Sequence, residues 1–108
     1  MKKVLLLVAT ECNKKAANKI AKLLLKKKLA ACISLKEIKS IYKWKGKIEE
    51  VNELEIIIKS KPELKNALVV FLQKQISYDL PQIIYKKFNS EKKYSNWVNK
   101  SCSNQVCP

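Results

Sequence analysis

The 108-residue sequence predicts one α+β domain, ordered β-α-β-β-α-β with a further C-terminal helix. Three observations lead there. The chain opens on a continuous apolar run, Val4 to Thr10, as in strands covered on both faces. Two later stretches repeat their apolar residues at helical spacing. Between those two stretches lie two extended segments joined at Gly46, the only glycine in the chain. An antiparallel sheet with both helices on one face satisfies this order, which is the ferredoxin-like arrangement.

The elements follow in turn. Asn13 can cap a helix running to about Lys28, with Ala17, Ile20, Ala21 and Leu24 on one side and Lys15, Lys19, Lys22 and Lys26 on the other. Leu29 to Trp44 reads as the second strand. Ile33 and Leu35 set one alternation, while Ile38, Ser40, Tyr42 and Trp44 follow the opposite parity. That change of phase near Lys36-Glu37 predicts a bulge or bend. Lys45-Gly46-Lys47 makes a short turn, with Gly46 free to take a positive φ. Ile48 to Lys59 returns, with Leu54, Ile56 and Ile58 on one face.

Ser60-Lys61-Pro62-Glu63 has the form of a capping box, opening a helix to about Gln75 striped by Leu64, Leu68, Phe71 and Leu72. Tyr78-Asp79-Leu80-Pro81 breaks it. Pro81 stands where a proline is tolerated, at the start of a fourth strand reaching Phe88. Ser90 to Lys100 forms a last helix with Tyr94, Trp97 and Val98 inward. The domain is expected over 1–100 and a frayed tail, with Cys102 and Cys107, over 101–108.

Composition narrows the chemistry. The formal charge is +14, and all 23 basic residues are lysines. Nucleic-acid readers favour arginine for its planar fork, so the lysines read as a solvated coat before they read as a phosphate-facing patch. The chain has no histidine, which removes the commonest acid–base group and metal ligand. The four cysteines lack paired C-x-x-C spacing. The apolar run Val4–Ala9 is too short for a signal peptide, and no stretch is long enough to span a membrane, so a cytoplasmic protein with free thiols is expected.

One length is too great for a monomer. A strand from Leu29 to Trp44 extends on the order of 50 Å at ~3.3 Å per residue, against a diameter of roughly 35 Å for a compact chain this size. The hairpin therefore protrudes, exposing Ile41, Tyr42, Trp44 and Ile48, with Gly46 at its tip. A closed ring of identical subunits would cover every such arm. Tyr42, Trp44, Gly46 and Ile48 are accordingly the expected subunit interface.

Several segments together resemble the CutA divalent-cation tolerance family. They are KLAAC at 28–32, SIYKWKGKIEE at 40–50, EIIIKS at 55–60 and YDLPQII at 78–84, with Tyr94 and Trp97 near the end. The resemblance spans nearly the whole chain. It implies a ferredoxin-like homotrimer whose arms reach onto neighbours, a link to tolerance of copper and other divalent ions, and no established enzymatic reaction. Tyr78, Asp79 and Pro81 read equally as the border of a pocket between subunits and as a plain turn into the fourth strand. Where the family reads His-Pro-Tyr this chain has Ile76-Ser77-Tyr78, and the positions that hold metal ligands in metal-binding members are Ala9, Gln75 and Ile76 here. None of these is a soft-metal ligand. The family's Pro-Gly in strand two is replaced by Lys36-Glu37.

Cys32, retained from the family, is the remaining thiol candidate for Cu(II), although a cysteine opening an apolar strand usually serves as a small buried hydrophobe. Glu49 and Glu50, with Glu53 and Glu55, form an acidic cluster suited to weak binding of hard cations and, more ordinarily, to pairing with lysines. No cofactor is required, and a weakly held Cu(II) or other divalent cation is the one candidate ligand. Three other functions compete with this one. A trimeric signalling protein with a ligand between subunits fits the same arms. An RNA-recognition module would need aromatics on its central strands, where Glu53–Lys59 has none. A small phosphate-ester or acyl-phosphate hydrolase would want an arginine clamp or a histidine, and the chain has neither.

Overall fold

The computed structural model describes residues 2–102. In it β1 (Lys3–Glu11) is followed by α1 (Lys14–Lys26), β2 (Cys32–Trp44) and β3 (Lys47–Ser60). A 3₁₀ turn (Pro62–Leu64) leads into α2 (Lys65–Gln75), then β4 (Ile83–Asn89) and α3 (Lys92–Ser101). The four strands form one antiparallel sheet in the order β2-β3-β1-β4. The expected element order and ferredoxin-like fold are therefore present.

Strand alternation builds the core. Leu5, Leu7 and Ala9 of β1 share a face with Ile56 and Ile58 of β3, and the helices cover that face with Ala17, Ile20, Leu24, Leu64, Leu68 and Leu72. The opposite face carries Leu6, Val8 and Ile57, only partly covered within one chain. The β2–β3 hairpin runs on beyond the helices, and the molecule measures 45 × 26 × 21 Å. Its radius of gyration, 14.5 Å, exceeds the ~13 Å of a compact chain this size.

Local chemistry closes the elements. Asn13 caps α1 as expected, its side chain accepting from the Ala16 amide at 3.1 Å. At the other end Lys28 takes φ 58°, with Leu29 N–H donating to Leu24 O and Lys28 N–H to Leu25 O. This is a Schellman motif with lysine in the place that glycine usually holds. The hairpin turn is also left-handed at two residues, Lys45 (φ 50°) and Gly46 (φ 80°), the backbone of a two-residue type I′ turn.

Five expectations change. Pairing of β2 with β3 is unbroken from Cys32↔Lys59 to Trp44↔Lys47, so there is no bulge at Lys36-Glu37. The phase change arises because Ile33 and Leu35 face the helices, whereas Ile38 and Ser40 lie beyond helix cover on the opposite face. Ser60 is not an N-cap. It ends β3 fully buried and its hydroxyl donates to Leu29 O at 2.6 Å, while the 3₁₀ turn starts without a side-chain cap. Pro81 precedes β4 by two residues instead of opening it. Tyr94 and Trp97 do not point inward. They are 38% and 48% exposed and stack on one another at 5.7 Å, while Ser95 and Val98 face the core. Finally, α3 runs through Ser101, and Cys102 is buried with its Sγ 3.6 Å from Ser60 Oγ. The remainder of the expected tail, including Cys107, lies outside the described residues.

Candidate functional site: the loop–arm cleft

The groups with the most chemistry gather where the base of the arm meets the loop between α2 and β4. Glu11 ends β1 on the helix-facing side, opposite Leu54, and is fully buried. Its Oε2 accepts from the Asn13 amide at 3.0 Å. Its Oε1 accepts from the Ser77 amide and hydroxyl, both at 2.9 Å. Burial alone would raise this carboxyl's pKa, but the amides of Asn13 and Ser77, helped by the Ser77 hydroxyl and Cys12, hold it below the ordinary value. One carboxylate thus fastens the α2–β4 loop to the β1–α1 turn.

Tyr78, the next residue, crosses to the open face of the sheet. Its hydroxyl donates to Glu53 Oε2 at 2.6 Å, and the Ser40 hydroxyl donates to Glu53 Oε1 at 2.7 Å. Burial first, then the hydrogen bond and negative charge of Glu53, with smaller contributions from Cys12, push the Tyr78 phenol well above its ordinary pKa of 10.0. Tyr78 therefore stays a neutral donor to a carboxylate. Beside this junction lies an open cleft of about 590 Å³, flanked by Tyr42 and Trp44 of the arm and by Asp79 of the loop.

The sequence-derived residues separate into three places. Tyr78 and Asp79 meet Tyr42 and Trp44 around the cleft within one chain. Pro81 lines a neighbouring depression with Tyr85, on the α2 side of the loop. Gly46 and Ile48 stand at the arm's end, Ile48 being 76% exposed. Cys32 is half-buried at the base of β2, opposite Lys59. Glu50 pairs with Lys39 at 3.8 Å, and Glu49 stands opposite Tyr42. Nine strand positions separate Cys32 from Ile41, the partner of Glu50, on the order of 30 Å at ~3.3 Å each. Cys32 and these acids cannot ligate one ion within a chain. Among the described residues no three histidine, cysteine or acidic side chains come together to hold a metal.

Glu11 and Glu53 are the functional-looking residues that the sequence reading undervalued. Glu53 was expected to pair with lysine, but it binds two hydroxyls instead. Its neighbour Ser40 follows from register, since β2–β3 pairing sets Glu53 opposite Ile38 and diagonal to Ser40. Its bond to Tyr78, 25 residues away, leaves no local signal.

Fold and site together define a small ferredoxin-like protein with a projecting hairpin and a carboxylate-anchored cleft at its base. The chain belongs to the family described as CutA1 divalent ion tolerance protein, whose model matches residues 5–101. It is 32% identical over 97 residues to the divalent-cation tolerance protein CutA of Pectobacterium atrosepticum, with 88% of each chain covered. It is 38% identical over 89 residues to protein CutA of Mus musculus, covering 81% of this chain and 50% of that protein, so it spans half that relative's length. Among solved structures, the divalent ion tolerance protein CutA1 of Ehrlichia chaffeensis superposes with a TM-score of 0.87 at 33% identity, over 94% of this chain and 96% of that one. No helix among the described residues is long and apolar enough to cross a membrane.

Proposed function

We propose that this protein is a cytoplasmic, non-enzymatic homotrimer acting in tolerance of divalent cations, copper among them. The observation that carries the reading is the arm. Ile41 and Ile48 are 63% and 76% exposed, and Tyr42 and Trp44 are 43% exposed each, on strands that outrun their own domain. Apolar surface of this kind marks an interface, and a closed ring of three would cover all arms alike. The names of the relatives supply the link to divalent cations.

Metal binding in this reading is weak, because the candidate ligands of one chain are a half-buried thiol, Cys32, a half-buried Glu49 and an exposed Glu50 already paired with Lys39. The trimer is tested by light scattering at micromolar concentration. The expected mass is three times that of the 12.5-kDa chain; a monomer would sink the argument from the arm. Weak binding is tested by Cu(II) calorimetry on the wild type and Cys32→Ser. A tight stoichiometric site that survives in Cys32→Ser would contradict both the weak affinity and any part for that thiol.

A further inference from the structure

Charge on this molecule is sorted between its elements. Glu49, Glu50, Glu53 and Glu55 collect on β3, whereas α1 carries lysines and no acid at all. Lys15, Lys19, Lys22 and Lys26 follow one another at spacings of four, three and four residues. At ~3.6 residues per turn they fall within about 60° of one another around the axis, in a straight row roughly 16 Å long. The row points away from Ala17, Ile20 and Leu24, the residues that α1 buries, and forms the outermost strip of the helix. All four lysines are exposed, and among the described residues none has an acidic partner; Lys14, beside the row, pairs with Glu37 at 3.4 Å. Like charges at i, i+3 and i, i+4 repel. Lys15 also stands in the first turn, where the positive end of the helix dipole adds to the repulsion. A solvated helix face ordinarily alternates its signs at these spacings. α1 holds its row against that cost, and an anion facing the row would relieve it.

We propose that the outer face of α1 binds the phosphate backbone of double-stranded nucleic acid, without sequence preference. Charge complementarity selects this partner. A duplex presents one negative charge per ~1.7 Å of its axis, so a stretch as long as the row offers more phosphates than four ammonium groups can neutralise. The chain has no arginine to fork onto base edges, hence the lack of sequence preference. α1 has no aromatic residue on which unpaired bases could stack, which disfavours single strands. An anionic membrane fits less well. A surface helix seats itself there by burying its apolar face among the headgroups, and Ala17, Ile20 and Leu24 of α1 are committed to the core. The proposed trimer draws its apolar contacts from the arm, while the lysine strip has no apolar residue to offer a neighbour. Nor does the row duplicate the metal reading, since it would repel a divalent cation.

The test uses the full chain and a short, fluorescently labelled DNA duplex of mixed sequence, with binding followed by anisotropy. Neutralising four phosphates gives a slope of about −3.6 in log K against log salt, so affinity should fall on the order of a hundredfold between about 50 and 200 mM salt. Lys15→Gln, Lys19→Gln, Lys22→Gln and Lys26→Gln, combined in one variant, remove the row while keeping helix propensity. That variant should bind about a hundredfold more weakly at the lower salt and lose most of the slope. Lys22→Gln alone should reduce the slope by about one. A control variant, combining Lys74→Gln, Lys92→Gln, Lys93→Gln and Lys100→Gln, removes the same charge from exposed positions on α2 and α3 and should bind almost as the wild type does. An equal loss in the control would overturn the proposal, because net charge and not the row would then attract the duplex. So would the absence of saturable binding at the lower salt, or a marked preference for one duplex sequence. Row-dependent binding to vesicles containing phosphatidylserine, with none to the duplex, would also overturn it and assign the face to a membrane. Light scattering should give both variants the wild-type mass. If the row variant alone comes apart, α1 faces a neighbouring subunit and the proposal fails.

Discussion

Tyr78 reaches from the α2–β4 loop to Glu53 on the arm, its hydroxyl 2.6 Å from Oε2. This bond joins a loop to a strand that its own domain does not cover. Charge-assisted bonds contribute about 1.5–3 kcal/mol when well desolvated; both partners here are half-exposed, so about 1–2 kcal/mol is expected. Tyr78→Phe should lower the urea midpoint accordingly. It should also loosen the loop, seen as faster amide exchange at Asp79 and Leu80. A variant with wild-type stability and exchange would show that the bond carries no weight. Because the folded pKa of Tyr78 is raised, its contribution is complete below the ordinary value of 10.0 and is lost as pH rises beyond it. The stability gap between wild type and Tyr78→Phe should therefore narrow in alkaline solution.

Glu11 gives the opposite pH signature. Its folded pKa is lowered, so its contribution is present above the ordinary value of 4.5 and fades as pH falls through the folded value. Glu11→Gln keeps the shape but loses a charged acceptor for the Asn13 and Ser77 amides, at a cost of about 2 kcal/mol near neutrality. Denaturant titrations at pH 7 and at pH 3 should show a large difference at the first and a smaller one at the second. An equal difference at both would remove Glu11 as the source.

Much of the fold was legible because its signals are local. The run Val4–Thr10, the stripe Ala17, Ile20 and Leu24, and the Lys45-Gly46 turn each declare themselves within a few residues. The failures have physical causes. The false bulge came from an apolar stripe that changes face within one regular strand: Ile33 faces the helices, whereas Ile38, beyond their cover, lies on the opposite face. The false capping box at Ser60 came from a residue that satisfies a backbone carbonyl 31 positions away. The junction at Glu53 was illegible for the same reason: Ser40 and Tyr78 converge on it from separate elements, and only the tertiary fold brings Tyr78 there.

The Schellman position offers a gain in stability. Lys28 sits at φ 58°, and a left-handed conformation costs a side-chain-bearing residue about 1–2 kcal/mol. Glycine removes that cost but gives back part of it through the freedom of the unfolded chain. Lys28→Gly should raise stability by about 0.5–1 kcal/mol, read as a higher urea midpoint with unchanged slope. The side chain is exposed, so no packing is lost. Destabilisation would mean that Lys28 makes a favourable contact outweighing its backbone.

Trp44 separates assembly from folding. It occupies the last β2 position before the turn, paired with Lys47, and is 43% exposed in a single chain. Little intramolecular packing depends on it, whereas an interface would bury much of an aromatic ring, the residue type most often dominant in such contacts. Trp44→Ala should therefore leave the far-ultraviolet circular dichroism spectrum unchanged while shifting light-scattering mass toward smaller species at low micromolar concentration. Lys43→Ala, one position earlier and on the other face of the same strand, should leave the mass alone. If both variants keep the wild-type mass on dilution, Trp44 is not an assembly anchor; if Trp44→Ala loses secondary structure as well as mass, the ring supports the arm itself before it supports a neighbour.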